Sequence, residues 1–104
     1  MTAYSPPSRC NFLETLNAHI ETHLNDTNFD LSKLLRSIGM SRTDLHRKLK
    51  QCVGMSATAY IRYVRVQRAA ALLAERPDWS MSDIAYAAGF SSPSYFTRAF
   101  AEFY

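Results

Sequence analysis

Two segments of the chain, LSKLLRSIGMS at 31–41 and MSDIAYAAGFS at 81–91, follow the same pattern at an offset of fifty residues. Both have glycine at the ninth position, and apolar residues match in the pairs Leu31/Met81, Leu34/Ile84, Ile38/Ala88 and Met40/Phe90. Glycine permits the backbone angle that a tight turn between helices requires, and the apolar residue after it can fill the bend. Each segment therefore predicts a short helix, a glycine turn and the start of a second helix.

A second helix is predicted after each turn, where the offset between the two copies becomes fifty-one residues. Leu45 and Leu49 in the first copy then correspond to Phe96 and Phe100 in the second. A helix that packs by one apolar face across a tight turn can protrude from the surface and enter a major groove of DNA. A plain helical hairpin inside a bundle is the alternative for a single copy, and the presence of two copies favours the DNA-binding interpretation.

The other helices are predicted from apolar residues spaced three and four apart and from capping residues at their ends. A first helix is expected at about 9–24, and a long linker helix at 57–75, where Ser56 precedes it and Pro77 prevents its continuation. The predicted fold class is all-α, with two helix-turn-helix lobes, each similar to a three-helix homeodomain unit, joined by the linker helix. The expected order is a flexible leader at 1–8, a first lobe at 9–53, the linker helix at 57–75 and a second lobe at 80–104.

The same spacing predicts which side chains form the two cores. They are Leu34, Ile38, Leu45 and Leu49 in the first lobe and Ile84, Phe90, Phe96 and Phe100 in the second. A helix over 57–75 would be about 28 Å long, and the major-groove faces on one side of B-DNA recur about every 34 Å. We therefore expect the two protruding helices to reach adjacent segments of the major groove.

The charge of the chain is concentrated in its middle. The net charge is only +3, but ten basic and two acidic residues lie between 31 and 76, and both ends are acidic. A positive patch between acidic ends attracts polyanions such as nucleic acid. The alternative is an ordinary solvated helix face. RNA would also suit a basic patch, but the sequence predicts no sheet with an aromatic platform on which bases could stack.

Two stretches, GMSRTDLHRKLK at 39–50 and IAYAAGFSSPSYFTRAF at 84–100, resemble the two motifs of the AraC-type DNA-binding domain. The helix between them resembles the linker helix of that family, and the resemblance covers about residues 10–104. It implies a bacterial transcription regulator that binds double-stranded DNA and acts on RNA polymerase. It also implies that dimerisation and effector sensing reside in a region N-terminal to this chain.

The residues at 44–50 are similar to those of family members attached to two-component receiver or hybrid sensor proteins. Family members usually continue past the sixth helix with a glycine, a proline and an aromatic-basic ending. No such ending follows Tyr104, so we expect the chain to be truncated at its C-terminus.

Outward positions of the third and sixth helices are the candidates for reading DNA sequence. Arginine can make paired hydrogen bonds to guanine, histidine can bond base edges, and threonine can touch a thymine methyl group. The predicted base-contacting residues are Arg42, Thr43, His46, Arg47, Ser94, Thr97 and Arg98. The set in the sixth helix is smaller and less charged, so the second motif is expected to read fewer bases.

Phosphate contacts give affinity without sequence information. The predicted phosphate-contacting residues are Lys33, Arg36, Lys48, Lys50, Arg62, Arg65 and Arg68. The alternative for the arginines of the linker helix is that they flank it in solvent or pair with Glu75.

A metal site is the other chemistry that the sequence raises, because His19 and His23 lie four residues apart on the first helix. The order His-Glu-x-x-His is absent and no third ligand is evident. A nucleophile with an oriented base would need a deep pocket, which a small helical chain rarely forms. We therefore expect no metal, no organic cofactor and no enzymatic activity.

No apolar run is long enough to span a membrane, and the first ten residues lack the features of a signal peptide. The expected location is therefore the cytoplasm, with no membrane contact for this domain. The alternative function is a helical protein–protein interaction module whose basic face meets an acidic partner. Salt dependence combined with sequence preference distinguishes this alternative from DNA binding.

Overall fold

The structure is a computed structural model that describes residues 12–24, 26 and 28–104. Over these residues the chain forms six α-helices and no strand, which confirms the all-α prediction. The helices are α1 (Phe12–Thr22), α2 (Leu31–Ile38), α3 (Arg42–Val53), α4 (Ala57–Glu75), α5 (Met81–Ala87) and α6 (Pro93–Phe103). The predicted leader at 1–8 and the predicted start of the first helix at 9 lie outside the described residues.

Local capping interactions decide where five of these helices begin. In each case a side-chain oxygen accepts the backbone N–H three residues later and satisfies one of the unpaired donors of the first turn. The capping residues are Asp30, Ser41, Ser56, Ser80 and Ser92. Asp83 completes a reciprocal capping box with Ser80, and Pro93 occupies the first turn of α6, where its missing N–H costs nothing.

The buried side chains form two apolar clusters, one for each helix-turn-helix unit. The first contains Leu16, Ile20, Leu24, Phe29, Leu31, Leu34, Leu45, Leu49, Ala57, Tyr60 and Ile61. The second contains Val66, Ala69, Leu72, Ile84, Ala85, Ala88, Phe90, Phe96 and Ala99. Helix α4 supplies its first half to one cluster and its second half to the other. The two units are thus built on opposite ends of one shared helix.

Six of the eight predicted core residues are fully buried, and two predictions were wrong. The six are Leu34, Leu45, Leu49, Ile84, Phe90 and Phe96. Ile38 and Phe100 are only half-buried. Ile38 is the last residue of α2 and lines a shallow depression beside α1. Phe100 contacts the ring of Phe96 on one side and stacks on the exposed ring of Tyr104, with 4.7 Å between ring centroids.

Candidate nucleic-acid interface

Helix α3 presents a polar face away from the first core. Leu45 and Leu49 are 0% and 1% exposed, because they pack into the cluster beneath the helix. The side chains predicted to contact bases from this helix all lie on the exposed side: Arg42, Thr43, His46 and Arg47. A helix held by one apolar face, with the opposite face uncovered, has the form that major-groove recognition requires.

A groove of about 600 Å³ runs along this exposed face of α3. Its lining includes all four predicted base-contacting residues of α3, together with Lys50, Gln51 and Thr58. Gln51 and Thr58 were missed by the sequence analysis. Gln51 follows Arg47 by four residues, so helical spacing alone could have placed it on this face. Thr58 belongs to the first turn of α4 and reaches the groove only through the packing of α3 on α4.

The guanidinium of Arg47 is held in place by its own helix. Its Nη2 atom donates to Oδ1 of Asp44 at 3.1 Å, and the two side chains are 62% and 50% exposed. Asp44 therefore pairs with Arg47 through its side chain, and its backbone N–H donates to the hydroxyl of Ser41. An exposed pair of this kind contributes little to stability. It restricts the side chain while leaving other guanidinium donors directed to solvent.

Helix α6 repeats the arrangement with fewer charges. Phe96 and Ala99 are buried on its inner face, and the predicted base-contacting residues Ser94, Thr97 and Arg98 are exposed on the other. The hydroxyl of Thr97 donates to the carbonyl of Pro93 at 3.0 Å. Its methyl group is therefore the part best suited to contact a thymine.

The predicted phosphate-contacting residues divide into several environments. Lys33, Arg36, Lys50 and Arg68 are exposed. Lys48 is half-buried, with its ammonium 5.6 Å from the centre of the Phe12 ring, on the side of α3 that faces α1. Arg68 likewise lies toward α1, where it lines a depression with Glu21 and Ala87.

Arg65 was predicted to contact a phosphate, but the structure buries this residue. Its side chain is 7% exposed. The Nη1 atom donates to the carbonyl of Gly89, and Nη2 donates to the carbonyls of Phe29 at 2.9 Å and Asp26 at 3.3 Å. Burial lowers the pKa of the guanidinium, but arginine stays charged in proteins. Its spacing of four from buried Ile61 was the signal that could have placed it inside.

Arg62 forms an ion pair within the protein, and this pair would have to break before Arg62 could contact a phosphate as predicted. Its Nε and Nη2 atoms donate to the two carboxylate oxygens of Glu102 at 3.1 and 3.0 Å. Such two-point pairing is the strongest form of arginine–carboxylate contact. The interaction raises the pKa of Arg62 and lowers that of Glu102. Glu75 was one possible partner for the linker arginines, but in the structure Arg62 pairs with Glu102.

The histidines considered as metal ligands contact other side chains. Nδ1 of His19 lies 2.7 Å from the hydroxyl of Ser37, and the ring of His23 stacks on Phe29 with 4.9 Å between centroids. Across 12–24, 26 and 28–104, no three metal-ligating side chains come together. Over the same ranges, none of the helices has the length and apolarity needed to cross a membrane.

Comparisons with known proteins bear on this arrangement. A family model described as a helix-turn-helix domain matches residues 34–104. The HTH-type transcriptional regulator MtrA of Neisseria gonorrhoeae is 36% identical over 76 residues, which are 73% of this chain and 25% of that protein. Histidine kinase P4 of Formosa agariphila is 35% identical over 81 residues, which are 78% of this chain and 6% of that protein. The chain thus spans a quarter or less of these two relatives.

A solved structure has the same fold. It is the C-terminal domain of the two-component response regulator yesN from Fusobacterium nucleatum, which superposes with a TM-score of 0.74 and 28% identity. The match covers 90% of this chain and 96% of that one. The two capped helix-turn-helix units, the shared α4 and these matches agree with the resemblance found in the sequence. The chain belongs to the AraC-type helix-turn-helix family of DNA-binding domains.

Proposed function

We propose that this domain binds double-stranded DNA with α3 and α6 in two successive segments of the major groove, and that it regulates transcription by doing so. The observation that carries the proposal is the matched presentation of the two helices. Each has its apolar face buried in its own cluster and its polar face uncovered. A helical hairpin inside a bundle would instead cover both helices on several sides.

The two motifs differ in what they offer to bases. Helix α3 offers two arginines, a histidine and a threonine: Arg42, Arg47, His46 and Thr43. Helix α6 offers one arginine with small hydroxyl side chains: Arg98, Ser94 and Thr97. Each good two-point contact discriminates between bases by about 1–3 kcal/mol. The first motif therefore carries the larger share of sequence preference.

Affinity shared by all sequences comes from contacts to the phosphate backbone. Because Arg65 is buried and Arg62 is paired, the remaining candidates are Lys33, Arg36, Lys48, Lys50 and Arg68. The ammonium of Lys33 also donates to the carbonyl of Asn28 at 2.8 Å. Lys50 has the strongest case because it lines the groove beside α3 together with the base-contacting residues. Each phosphate neutralised should add about 0.9 to the dependence of log affinity on log salt.

We also propose where dimerisation and signal sensing occur in the full-length protein. Because the chain spans only part of its relatives, we place dimerisation and signal sensing in a region N-terminal to it. The relatives named as a histidine kinase and a response regulator favour a two-component signal. RNA polymerase is the proposed partner for regulation and the cytoplasm the proposed location. Neither enzymatic activity nor a cofactor is needed for this function.

The test is to select bound duplexes from a random DNA pool and then to titrate the selected and scrambled duplexes at several salt concentrations. We expect the selected site to bind about 100-fold tighter or more. Equal affinity for the two duplexes would overturn the proposal. In that case tight binding of an acidic protein partner would support the interaction module with a basic face.

A further inference from the structure

Arg65 joins two backbone segments that are far apart in the sequence. Its guanidinium bonds the carbonyls of Asp26 and Phe29, which lie between α1 and α2, and that of Gly89 in the turn between α5 and α6. Two of these carbonyls belong to the first helix-turn-helix unit and one belongs to the second. Arg65 itself lies in the middle of α4, between the residues that serve the first cluster and those that serve the second.

The two units touch directly at this place. A Cβ atom at Gly89 would overlap the carbonyl oxygen of Leu24, and it would also crowd the Arg65 guanidinium at 2.9 Å from Nη1. Gly89 further has φ +92°, a conformation that side-chain-bearing residues rarely adopt. The turn of the second motif is therefore pressed against the end of the first unit, with Arg65 filling the junction.

The buried charge of Arg65 requires hydrogen-bond acceptors at this junction. Burying a guanidinium costs free energy unless its donors are satisfied. Here three carbonyl oxygens accept from Nη1 and Nη2, whereas Nε is buried without a hydrogen-bond partner among the described residues. Any shift of one unit relative to the other would pull a carbonyl away and leave buried charge with fewer acceptors. The interaction therefore stabilises the fold and also resists movement of one unit relative to the other. Lysine cannot reproduce it, because a single ammonium lacks the planar fork that reaches separated acceptors.

The two units otherwise share α4, so their relative orientation can change by bending or twisting this helix or by sliding of the second motif on it. We propose that Arg65 is a positioning residue that fixes the orientation of α6 relative to α3, and thereby makes the spacing between two DNA half-sites a determinant of specificity. The part of the inference that concerns the spacing of DNA half-sites rests on the proposed function. Its structural part, a fixed orientation between units, holds without DNA.

The first experiment measures orientation in the free protein. Residual dipolar couplings of backbone amides are recorded for wild type, Arg65→Met and Arg65→Lys in the same alignment medium. For wild type, couplings from α2–α3 and from α5–α6 should fit one alignment tensor. In Arg65→Met the two units should require different tensors, and Arg65→Lys should fall between. Should Arg65→Met fail to fold, Arg65→Lys carries the comparison with wild type.

The second experiment measures tolerance to DNA spacing. One base pair is inserted between the half-sites of the selected duplex, which rotates one half-site by about 35° relative to the other. Wild type should lose about 30-fold in affinity, because the second motif loses its base contacts. Arg65→Met should bind the original site more weakly but lose only about 3-fold on insertion. Arg68→Met, three residues along α4 and exposed, is the control and should weaken both duplexes alike.

The outcomes separate the two proposals. If wild type shows no sequence preference, the proposed function fails, while the dipolar couplings still decide whether Arg65 fixes the orientation. If wild type is sequence-specific, but folded Arg65 variants fit one tensor and keep the full penalty for insertion, the positioning role is wrong. A purely structural role would lower the melting temperature without changing the ratio of affinities for the two spacings.

Discussion

Replacing Arg47 by alanine tests whether α3 reads DNA sequence. The side chain is 62% exposed, and its ion pair with Asp44 is on the surface. Losing such a pair costs about 0.2–1 kcal/mol, so the fold of the variant should be nearly as stable as wild type. Losing a two-point contact to guanine costs about 1–3 kcal/mol of discrimination, which corresponds to about 5- to 150-fold in affinity. The loss should therefore appear in binding and not in folding.

The assay is fluorescence anisotropy with the selected duplex and a scrambled duplex at several salt concentrations, supported by thermal unfolding. We expect Arg47→Ala to bind the selected duplex 5- to 150-fold more weakly, with a much smaller change for the scrambled one. A repeat of the site selection with the variant should lose preference at one base position. Arg36→Ala, an exposed arginine on α2, is the matched control. It should weaken both duplexes alike and make the salt slope shallower by about 0.9. The reasoning is refuted if Arg47→Ala behaves as we expect of Arg36→Ala.

Three further predictions concern the fold that carries the two motifs. Gly89→Ala should destabilise the domain by about 3 kcal/mol or more in urea unfolding, because the residue has φ +92° and its Cβ would overlap the carbonyl of Leu24; an unchanged midpoint would contradict this packing. Phe96→Ala, at a position 1% exposed, should cost about 3–5 kcal/mol in the same assay. Arg62 lowers the pKa of Glu102, so their pair stabilises the fold above pH about 4.5, the ordinary value, and loses this effect as the pH falls through the lowered value. Glu102→Gln should therefore lower the melting temperature at pH 7, and this difference should shrink as the pH falls below about 4.5. A difference that does not shrink as the pH is lowered would contradict the assignment.

The helices could be predicted from the sequence because their limits depend on local interactions. Asp30 and Ser80 cap helices through backbone N–H groups only three residues away, so the pattern needed for each cap is contiguous. The repeat at an offset of fifty residues then identified the two motifs without knowledge of their packing. Exposed positions on α3 followed in the same way, since burial of Leu45 and Leu49 fixes which side of the helix faces outward.

The linker arginines could not be assigned so simply. Arg62 and Arg65 have partners 40 and 24 to 39 residues away, and only the tertiary fold brings these groups together. A count of basic residues treats them as part of a surface patch, although one is buried and the other is paired. Ile38 and Phe100 show the same limit, since helical spacing selects the inner face but does not show where a core ends.

The central claim is that two helices of one domain occupy successive major-groove segments. Methylation interference on the selected duplex tests it directly, because methylation of guanine N7 blocks the major-groove edge that arginine contacts. We predict two clusters of interfering guanines on one side of the duplex, with centres about 10 base pairs apart. Arg47→Ala should remove interference at a guanine of one cluster, and Arg98→Ala at a guanine of the other. A single cluster that only one of these variants affects would contradict the claim that both α3 and α6 read the DNA.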